Sequence, residues 1–249
     1  MSGPRLRDHY SYSVYADPST ARSFDVRRFG GPIGRMVAAA QADVLARGAG
    51  PIRNRAVLDV GTGTGRAAIL MARAGAQVTA VDPSAEMLGI ARQRAADESL
   101  SIRFAVGDAH RLEFPDQAFD VVISLRVLMH AEDWERCLAE LCRVSARLVI
   151  IDYPSARSAA LLQAIWRRLI HRFGARTEPY RVLSDRAVAK VLKDAGFRVD
   201  SAHRQFVLPI AVHKAIGSRR FSERTRALSA RLGLLRVLGS PVTIVAERW

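Results

Sequence analysis

This sequence of 249 residues has only two cysteines, and they do not form a metal-ligand pattern. Cys137 and Cys142 lie five residues apart on one predicted helix, so we expect reduced thiols in the core of a cytoplasmic protein. No run approaches the ~18 apolar residues of a membrane-spanning helix, and the first residues include no apolar signal region. These shortages predict a protein that is neither exported nor integral to a membrane, and that binds no metal.

Acidic residues are also scarce. The chain has 24 of them and 38 lysines and arginines, so its net charge is +14. Such a charge attracts nucleic acid, an anionic membrane surface or an acidic substrate. The alternative is a compositional preference for arginine in a genome rich in G and C. No repeat or low-complexity linker is present, and the length suits one α/β domain over residues 1–249.

The most informative feature that the sequence does contain is a strand-like run, Ala56–Val60, followed by three alternating glycines and a helix-forming stretch from Arg66. Glycine has no Cβ, so the backbone can turn tightly and a ligand can approach it closely. The N–H groups at the start of the following helix have no partner within the helix. Strand, turn and helix together predict a cradle for a nucleotide or nucleoside.

The glycine spacing distinguishes between ligand classes. The dinucleotide fingerprint is G-x-G-x-x-G, whereas this chain has G-x-G-x-G and Arg66 occupies the place of the third glycine. Asp59 precedes the first glycine by two residues. A carboxylate there would repel a pyrophosphate but suits a ligand with an ammonium group. The motif therefore favours an aminoacyl-nucleoside over NAD.

Two further acids follow predicted strands. Asp82 ends the strand 77–81, at the distance from the glycine turn where an acid commonly accepts from ribose hydroxyls. Asp82 or Ser84 can instead cap the helix predicted over 85–96. Asp108 follows the strand 101–106 and can accept from an adenine amino group, or it can be an ordinary turn residue.

Strand-like runs alternate with helical segments through most of the chain. This order predicts a Rossmann-like doubly wound α/β fold: a mostly parallel seven-stranded sheet with helices on both faces. Ligands bind outside the carboxyl ends of the strands in such sheets. Polar residues fall at five of these ends, which predicts one shared site: Asp59, Asp82, Asp108, Ser124 and Asp152.

Four segments in order, 57–65, 81–84, 107–109 and 119–124, resemble the motifs of class I S-adenosylmethionine-dependent methyltransferases. The nearest resemblance is to the small-molecule group that includes the quinone-biosynthesis methyltransferases, and it covers roughly residues 50–153. It implies S-adenosylmethionine as cofactor and O- or C-methylation of a small, apolar or lipid-linked acceptor. Two alternatives stay open: an RNA methyltransferase and a non-catalytic nucleoside-binding partner protein. The chain has no Asn-Pro-Pro-Tyr-type motif and no appended RNA-binding module, which disfavours nucleic acid.

The resemblance also implies a division of the chain and a set of cofactor contacts. Residues 1–47 would form a lid and helices, 52–153 the cofactor-binding core, and 154–249 a C-terminal half. Within the lid, Phe24-Asp25 with Arg28 is similar to a recurring family pattern, although a frayed terminus is the alternative. The implied cofactor-binding residues are Arg28, Asp59, Gly61, Thr62, Gly63, Gly65, Asp82, Pro83, Met87, Asp108, Ala109, Ser124 and Leu125.

The resemblance implies that catalysis depends on holding the acceptor atom in line with the departing sulfur. If the acceptor is a hydroxyl or an acidic carbon, a general base adds about 10²–10⁴-fold. His130 is our candidate base, because it follows the fourth strand in the segment that borders the acceptor in this family. Its structural alternative is to cap the helix that starts near Asp133. Tyr153, after the fifth strand, is our candidate for orienting the acceptor.

Two segments of the C-terminal half are basic and apolar. The stretch 158–173 has helical spacing and reads either as a membrane-surface helix or as a helix packed on the sheet. Residues 208–240 form an insertion between two predicted strands, with several arginines. Insertions of this length are usually functional, so we expect a helical substrate cover that touches lipid headgroups. The expected location is cytoplasmic, with peripheral contact to an anionic membrane at its inner face.

Overall fold

The computed structural model describes residues 24–26, 28–158, 161 and 181–249. The lid expected before residue 24 falls outside these residues. So does the amphipathic helix expected over 158–173, apart from residues 158 and 161.

Seven strands form one sheet in the order β3-β2-β1-β4-β5-β7-β6. The first five strands pair in parallel, and β7 runs antiparallel to both of its neighbours. This arrangement confirms the predicted mostly parallel sheet. The strands are Ala56–Val60 (β1), Gln77–Asp82 (β2), Ile102–Val106 (β3), Phe119–Ser124 (β4), Ser145–Tyr153 (β5), Phe197–Phe206 (β6) and Ser240–Arg248 (β7).

Helices cover both faces of the sheet, because β1, β2, β4, β5 and β7 bury apolar residues on both sides. Leu138 and Leu192 belong to the core on one face, while Leu45 and Met71 belong to the core on the other. The helices are Gly31–Ala49 (α1), Arg66–Arg73 (α2), Ala85–Asp97 (α3), Trp134–Val144 (α4), Asp185–Asp194 (α5), Ile210–Ile216 (α6), Arg219–Arg231 (α7) and Leu234–Leu238 (α8).

Side-chain caps fix where two of these helices begin. The Ser84 hydroxyl accepts from the Met87 N–H at 3.1 Å and starts α3. Asp133 accepts from the Arg136 N–H at 3.0 Å and starts α4. Such caps satisfy N–H groups that have no partner within the helix. The cap of α4 is therefore Asp133, and not His130.

The strand order reverses at β1, which lies between β2 and β4. A crevice opens at such a point beyond the carboxyl ends of the strands, and it is where ligands bind in open α/β sheets. The expected insertion forms α6, α7 and α8, between β6 and β7. In the part of the chain that the structure describes, no helix has both the length and the hydropathy to cross a membrane.

Candidate active site

A cavity of about 550 Å³ lies at the carboxyl ends of β1, β2 and β4. Its volume falls in the range of small-ligand sites. Eleven of the residues expected from the sequence line it: Asp59, Gly61, Thr62, Gly63, Asp82, Pro83, Met87, Asp108, Ala109, Leu125 and His130. The structure thus brings these residues together around one cavity.

The glycine turn after β1 has left-handed backbone at all three glycines. Gly61 has φ of +69°, and a Cβ there would lie 2.2 Å from Val127 Cγ2. Gly65 has φ of +84°, and its Cβ would lie 2.9 Å from the Cβ of Ala91 in α3. Gly65 is outside the cavity lining. The absence of a side chain at Gly65 lets α2 pack closely against α3, and its predicted contact with the cofactor stays a prediction.

Asp59 is buried, and its carboxylate holds the glycine turn through two hydrogen bonds. Its Oδ2 accepts from the Thr62 hydroxyl at 2.6 Å and from the Ala68 N–H at 3.0 Å. Burial raises the pKa of Asp59 to about 6, and the nearby Asp82 charge acts in the same direction. The carboxyl thus holds the start of α2 in addition to lining the cavity.

Asp82 links the end of β2 to the same turn. Its Oδ2 accepts from the Gly63 N–H at 2.8 Å, and its Oδ1 accepts from the Ser84 N–H at 2.9 Å. Burial raises the pKa of this carboxyl to about 6 as well. Ser84, and not Asp82, is the helix cap, so Asp82 lies on the cavity wall where a ribose-binding acid was expected.

Asp108 is oriented by a residue that sequence reasoning missed. Its Oδ1 accepts from the His110 N–H at 2.9 Å and lies 2.7 Å from His110 Nδ1. The Asp133 N–H in turn donates to His110 Nε2 at 3.3 Å. His110 therefore joins the third acid to the start of α4. In the sequence, the only signal that could have pointed to His110 is its position two residues after Asp108.

The cavity wall formed by α1 and the segment after β4 is mainly apolar, with Ala38, Ala42, Leu45, Leu125 and Val127. Further apolar lining comes from the residues before α1 and from α2: Phe24, Phe29, Ile69 and Leu70. His130 also lines the cavity after β4, and its side chain is largely buried.

The segment after β4 is held by the buried carboxylate of Asp152. This carboxylate accepts from the Arg126 N–H and, at 3.4 Å, from the Gln41 side-chain amide. Arg126 has φ of +64°, a left-handed conformation that costs free energy for a residue with a Cβ. Burial raises the pKa of Asp152, against the opposing charges of Arg126 and Arg28. Gln41 and Arg126 both line the cavity, and the sequence had marked neither.

Residues 24–26 lie over the glycine turn. Both carboxylate oxygens of Asp25 accept from the Thr64 hydroxyl at 3.1 Å, and the carboxylate also forms an ion pair with Arg94. The guanidinium of Arg66 lies 3.7 Å from the centroid of the Phe29 ring. Arg66 thus contacts the segment before α1, although its position in the motif had suggested only a substitute for glycine.

Besides Gly65, three expected site residues lie outside the cavity lining. The Tyr153 hydroxyl donates to Asp185 at 3.1 Å, and the Ser124 hydroxyl donates to the Val60 carbonyl at 3.0 Å. Successive residues of a strand point to opposite faces, so Asp152 faces α1 while Tyr153 is buried on the face of α4 and α5. Arg28 accepts from the Lys214 ammonium through its carbonyl at 2.9 Å. The hydroxyls of Tyr153 and Ser124 are thus used in contacts within the fold. The guanidinium of Arg28 lies 5.5 Å from the ring centroid of Phe24, which lines the cavity, so its cofactor role stays a prediction.

Among the described residues, no group of three or more His, Cys, Asp or Glu is arranged to hold a metal ion. Cys137 and Cys142 are buried free thiols, and Cys137 also borders the cavity.

The fold and the acids around the glycine turn define a class of protein. Residues 58–148 match the family model described as a methyltransferase domain. The chain belongs to the class I S-adenosylmethionine-dependent methyltransferases, in the methyltransferase type 11 group, and its cofactor is S-adenosylmethionine.

Curated relatives refine this placement. The chain is 40% identical over 129 residues to the demethylmenaquinone methyltransferase of Deinococcus radiodurans. This alignment covers 49% of this chain and 54% of that protein. It is 30% identical over 178 residues to the demethylmenaquinone methyltransferase of Tropheryma whipplei. That alignment covers 64% of this chain and 73% of the relative. The chain therefore spans about half the length of the Deinococcus relative.

The solved structures share the fold at lower identity. Magnesium protoporphyrin IX methyltransferase from Synechocystis PCC 6803, with bound SAH, superposes with a TM-score of 0.64 at 19% identity. The match covers 95% of this chain and 99% of that chain. At this identity the likeness establishes the architecture and no more.

Proposed function

We propose that this protein transfers a methyl group from S-adenosylmethionine to a small apolar acceptor of the quinone class, by O- or C-methylation. The observation that carries the proposal is the division of one cavity into two ends. Acids and backbone N–H groups surround the glycine turn, while aromatic and aliphatic side chains line the region between α1 and the segment after β4. The first end suits a charged nucleoside and the second an apolar ring.

The residues at the first end fit the cofactor. A side chain at Gly61 would clash with Val127, so the backbone there is accessible only because the residue is glycine. We assign Asp82 to the ribose hydroxyls, Asp108 to the adenine amino group, and the turn above Asp59 to the amino-acid end. When bound, S-adenosylmethionine would supply a methyl group bonded to a sulfonium sulfur, and the sulfur would leave with the bonding electron pair as a neutral thioether.

The chain's own part in the reaction is to position the acceptor, exclude water and remove a proton. The apolar end of the cavity would exclude water from the acceptor ring. His130 lines the same cavity, four residues after Arg126, whose N–H donates to the carboxylate of Asp152. We propose that its imidazole accepts the proton that the acceptor hydroxyl or acidic carbon loses on methylation. The hydrogen bond between Arg126 and Asp152 fixes the start of the segment that carries His130, and a general base must be positioned closely.

The acceptor class rests on the names of the relatives, because both curated relatives described above are demethylmenaquinone methyltransferases. A quinone of that kind is apolar and lipid-linked, in agreement with the aromatic and aliphatic lining. A peripheral contact with an anionic membrane belongs to the same proposal, since a lipid-linked acceptor is found in a bilayer.

The proposal is tested by incubating the protein with cell extract and S-adenosylmethionine carrying a labelled methyl group. The products are then separated into lipid, RNA and small-molecule fractions, and purified demethylmenaquinone is assayed in parallel. We expect label in the lipid fraction and in demethylmenaquinone, and none with Gly61→Val, whose side chain would clash with Val127. Label in RNA would instead support the RNA methyltransferase. Absence of cofactor binding by calorimetry would support the non-catalytic partner protein.

A further inference from the structure

Exposed apolar side chains are concentrated in the insertion between β6 and β7. Among the described residues, seven of the twelve exposed large hydrophobic side chains belong to residues 208–238. They include Leu228 and Leu232, which are 57% and 63% exposed, and Val237, which is 47% exposed. The other four are Leu208, Val212, Ile216 and Leu234. Isolated exposed apolar residues are ordinary, but a concentration of them marks an interaction surface.

The same insertion is strongly basic. Residues 208–240 contain seven lysines and arginines and one acid, Glu223. Glu223 is paired with Arg219 at 2.7 Å within α7. The others are Lys214, Arg220, Arg224, Arg226, Arg231 and Arg236. A surface with this excess of positive charge complements an anionic partner.

Three of the arginines and one leucine share a face of α7. Arg220, Arg224, Leu228 and Arg231 are spaced by four, four and three residues, so they project from the same side of a helix, and all four are exposed. We call this side, together with Leu232, Leu234 and Val237, the basic-apolar surface.

The opposite face of α7 is fixed against the rest of the protein. The buried Ser222 hydroxyl lies 2.8 Å from His213 Nδ1. The ring of His213 packs between those of Phe206 and Phe221, with centroids 4.6 and 5.8 Å away. These contacts tie α7 to α6 and to the end of β6. The outward orientation of the basic-apolar surface is therefore set by a packed interior.

The insertion also adjoins the cavity. Both α6 and α7 pack against α1, which contributes Ala38, Gln41, Ala42 and Leu45 to the cavity lining. The Lys214 ammonium donates to the Arg28 carbonyl at 2.9 Å, one residue before Phe29 of the cavity. A bilayer that lay on α7 would thus lie beside the apolar end of the site.

We propose that the basic-apolar surface docks the protein on an anionic phospholipid bilayer, with its leucines and valine in the interface and its arginines at the headgroup phosphates. Amphipathic helices that combine apolar and basic residues bind in this way. Each basic residue near an anionic leaflet contributes on the order of a fivefold gain in binding. The inference rests on the proposed function, since it names where a lipid-linked acceptor is collected.

The test is flotation of the full chain with vesicles of phosphatidylcholine mixed with phosphatidylglycerol, and with vesicles of phosphatidylcholine alone. We expect binding only to the mixed vesicles, and loss of that binding at high salt. Arg220→Glu with Arg224→Glu should weaken binding to the mixed vesicles at least about tenfold at low salt. Leu228→Ser should also weaken binding at low salt, because it removes an apolar side chain from the interface. The matched controls are Arg103→Glu with Arg186→Glu, and Val199→Ser, which change exposed residues on other elements and should bind like the parent protein.

Two results would overturn the docking surface. One is equal loss of binding in the α7 variants and in their controls. The other is no vesicle binding by the parent protein, whether or not it binds RNA in a gel shift or self-associates in sedimentation. Calorimetry with S-adenosylmethionine and turnover of detergent-dispersed demethylmenaquinone separate this inference from the proposed function. Intact turnover without vesicle binding refutes only the docking surface, whereas vesicle binding without turnover refutes the proposed function.

Discussion

The carboxylate of Asp82 accepts the Gly63 N–H at 2.8 Å, so the end of β2 holds the turn that follows β1. The same carboxylate, through its other oxygen, accepts the Ser84 N–H that precedes α3. A single buried acid therefore connects two strand ends, a glycine turn and a helix start. Because it also lines the cavity, its charge state affects folding and ligand binding together.

The buried acids predict a stability that falls as pH rises through the acidic range. Burial raises the pKa values of Asp59 and Asp82 to about 6, above the value of ~3.9 for an unfolded chain. Between about pH 4 and 6 the folded protein holds more protons than the unfolded chain, so raising the pH lowers the free energy of unfolding. The loss is up to about 3 kcal/mol for each carboxyl. Urea unfolding of the ligand-free protein across this window measures it.

Asp82→Asn is the variant for this prediction, because the amide cannot ionise. We expect a flatter dependence of unfolding free energy on pH than in the parent protein, while Asp97→Asn on the exposed end of α3 keeps the parent's slope. Affinity for S-adenosylmethionine should rise through about pH 6 in the parent, since the ionised carboxylate is the better acceptor of ribose hydroxyls. The same pH dependence of affinity in Asp82→Asn would show that another group is responsible.

The contacts of Asp25 predict slower release of the cofactor than an open site would allow. Asp25 joins the segment before α1 to Thr64 of the glycine turn and to Arg94 of α3. Asp25→Asn removes the ion pair, so we expect a several-fold faster dissociation of S-adenosylhomocysteine, in keeping with the modest strength of partly exposed pairs. Stopped-flow displacement measures the rate. Asp43→Asn removes a comparable exposed pair, with Arg47 on α1, and should leave it unchanged.

The proposed role of His130 predicts a separation of binding from turnover. His130→Asn should lower kcat by about 10²–10⁴-fold if the imidazole is the general base. Binding of S-adenosylmethionine in calorimetry should change little, because the acids at the other end of the cavity are intact. A variant that keeps the parent's kcat would assign His130 to shaping the cavity only.

Tyr153→Phe distinguishes a structural tyrosine from a catalytic one. Its hydroxyl donates to Asp185, which also accepts from the Ser155 hydroxyl at 2.9 Å and from Arg204 at 2.6 Å. Removing the hydroxyl leaves that carboxylate well satisfied, so we expect a loss of about 0.5–1.5 kcal/mol in the free energy of unfolding. The kcat should stay at the parent's value. A large drop in kcat with an unchanged Tm would restore the role that the sequence suggested.

Patterns that are local in sequence predicted the fold well. The apolar runs of β1 and β4 have the bounds that we expected, since both are limited by turn residues. The close approach of Gly65 to Ala91 is a contact between two helices, and the spacing of glycines in the sequence does not reveal it. The direction of the Tyr153 side chain was also not predictable, because a shift of one residue along a strand moves a side chain to the other face. Gln41 reaches Asp152 across 111 residues, and no local pattern indicates such a contact.

The insertion that carries α6, α7 and α8 leaves and re-enters the sheet at one place. Phe206 at the end of β6 pairs with Ser240 at the start of β7. In topological terms these three helices are the loop of a β-hairpin, and hairpin loops tolerate changes of length without disturbing the strands that they join. The acids around the glycine turn belong to β1, β2 and the residue pair after β3, on the far side of β4 and β5. This loop, and the basic-apolar surface on it, can therefore change in evolution while the acids that surround the glycine turn are retained.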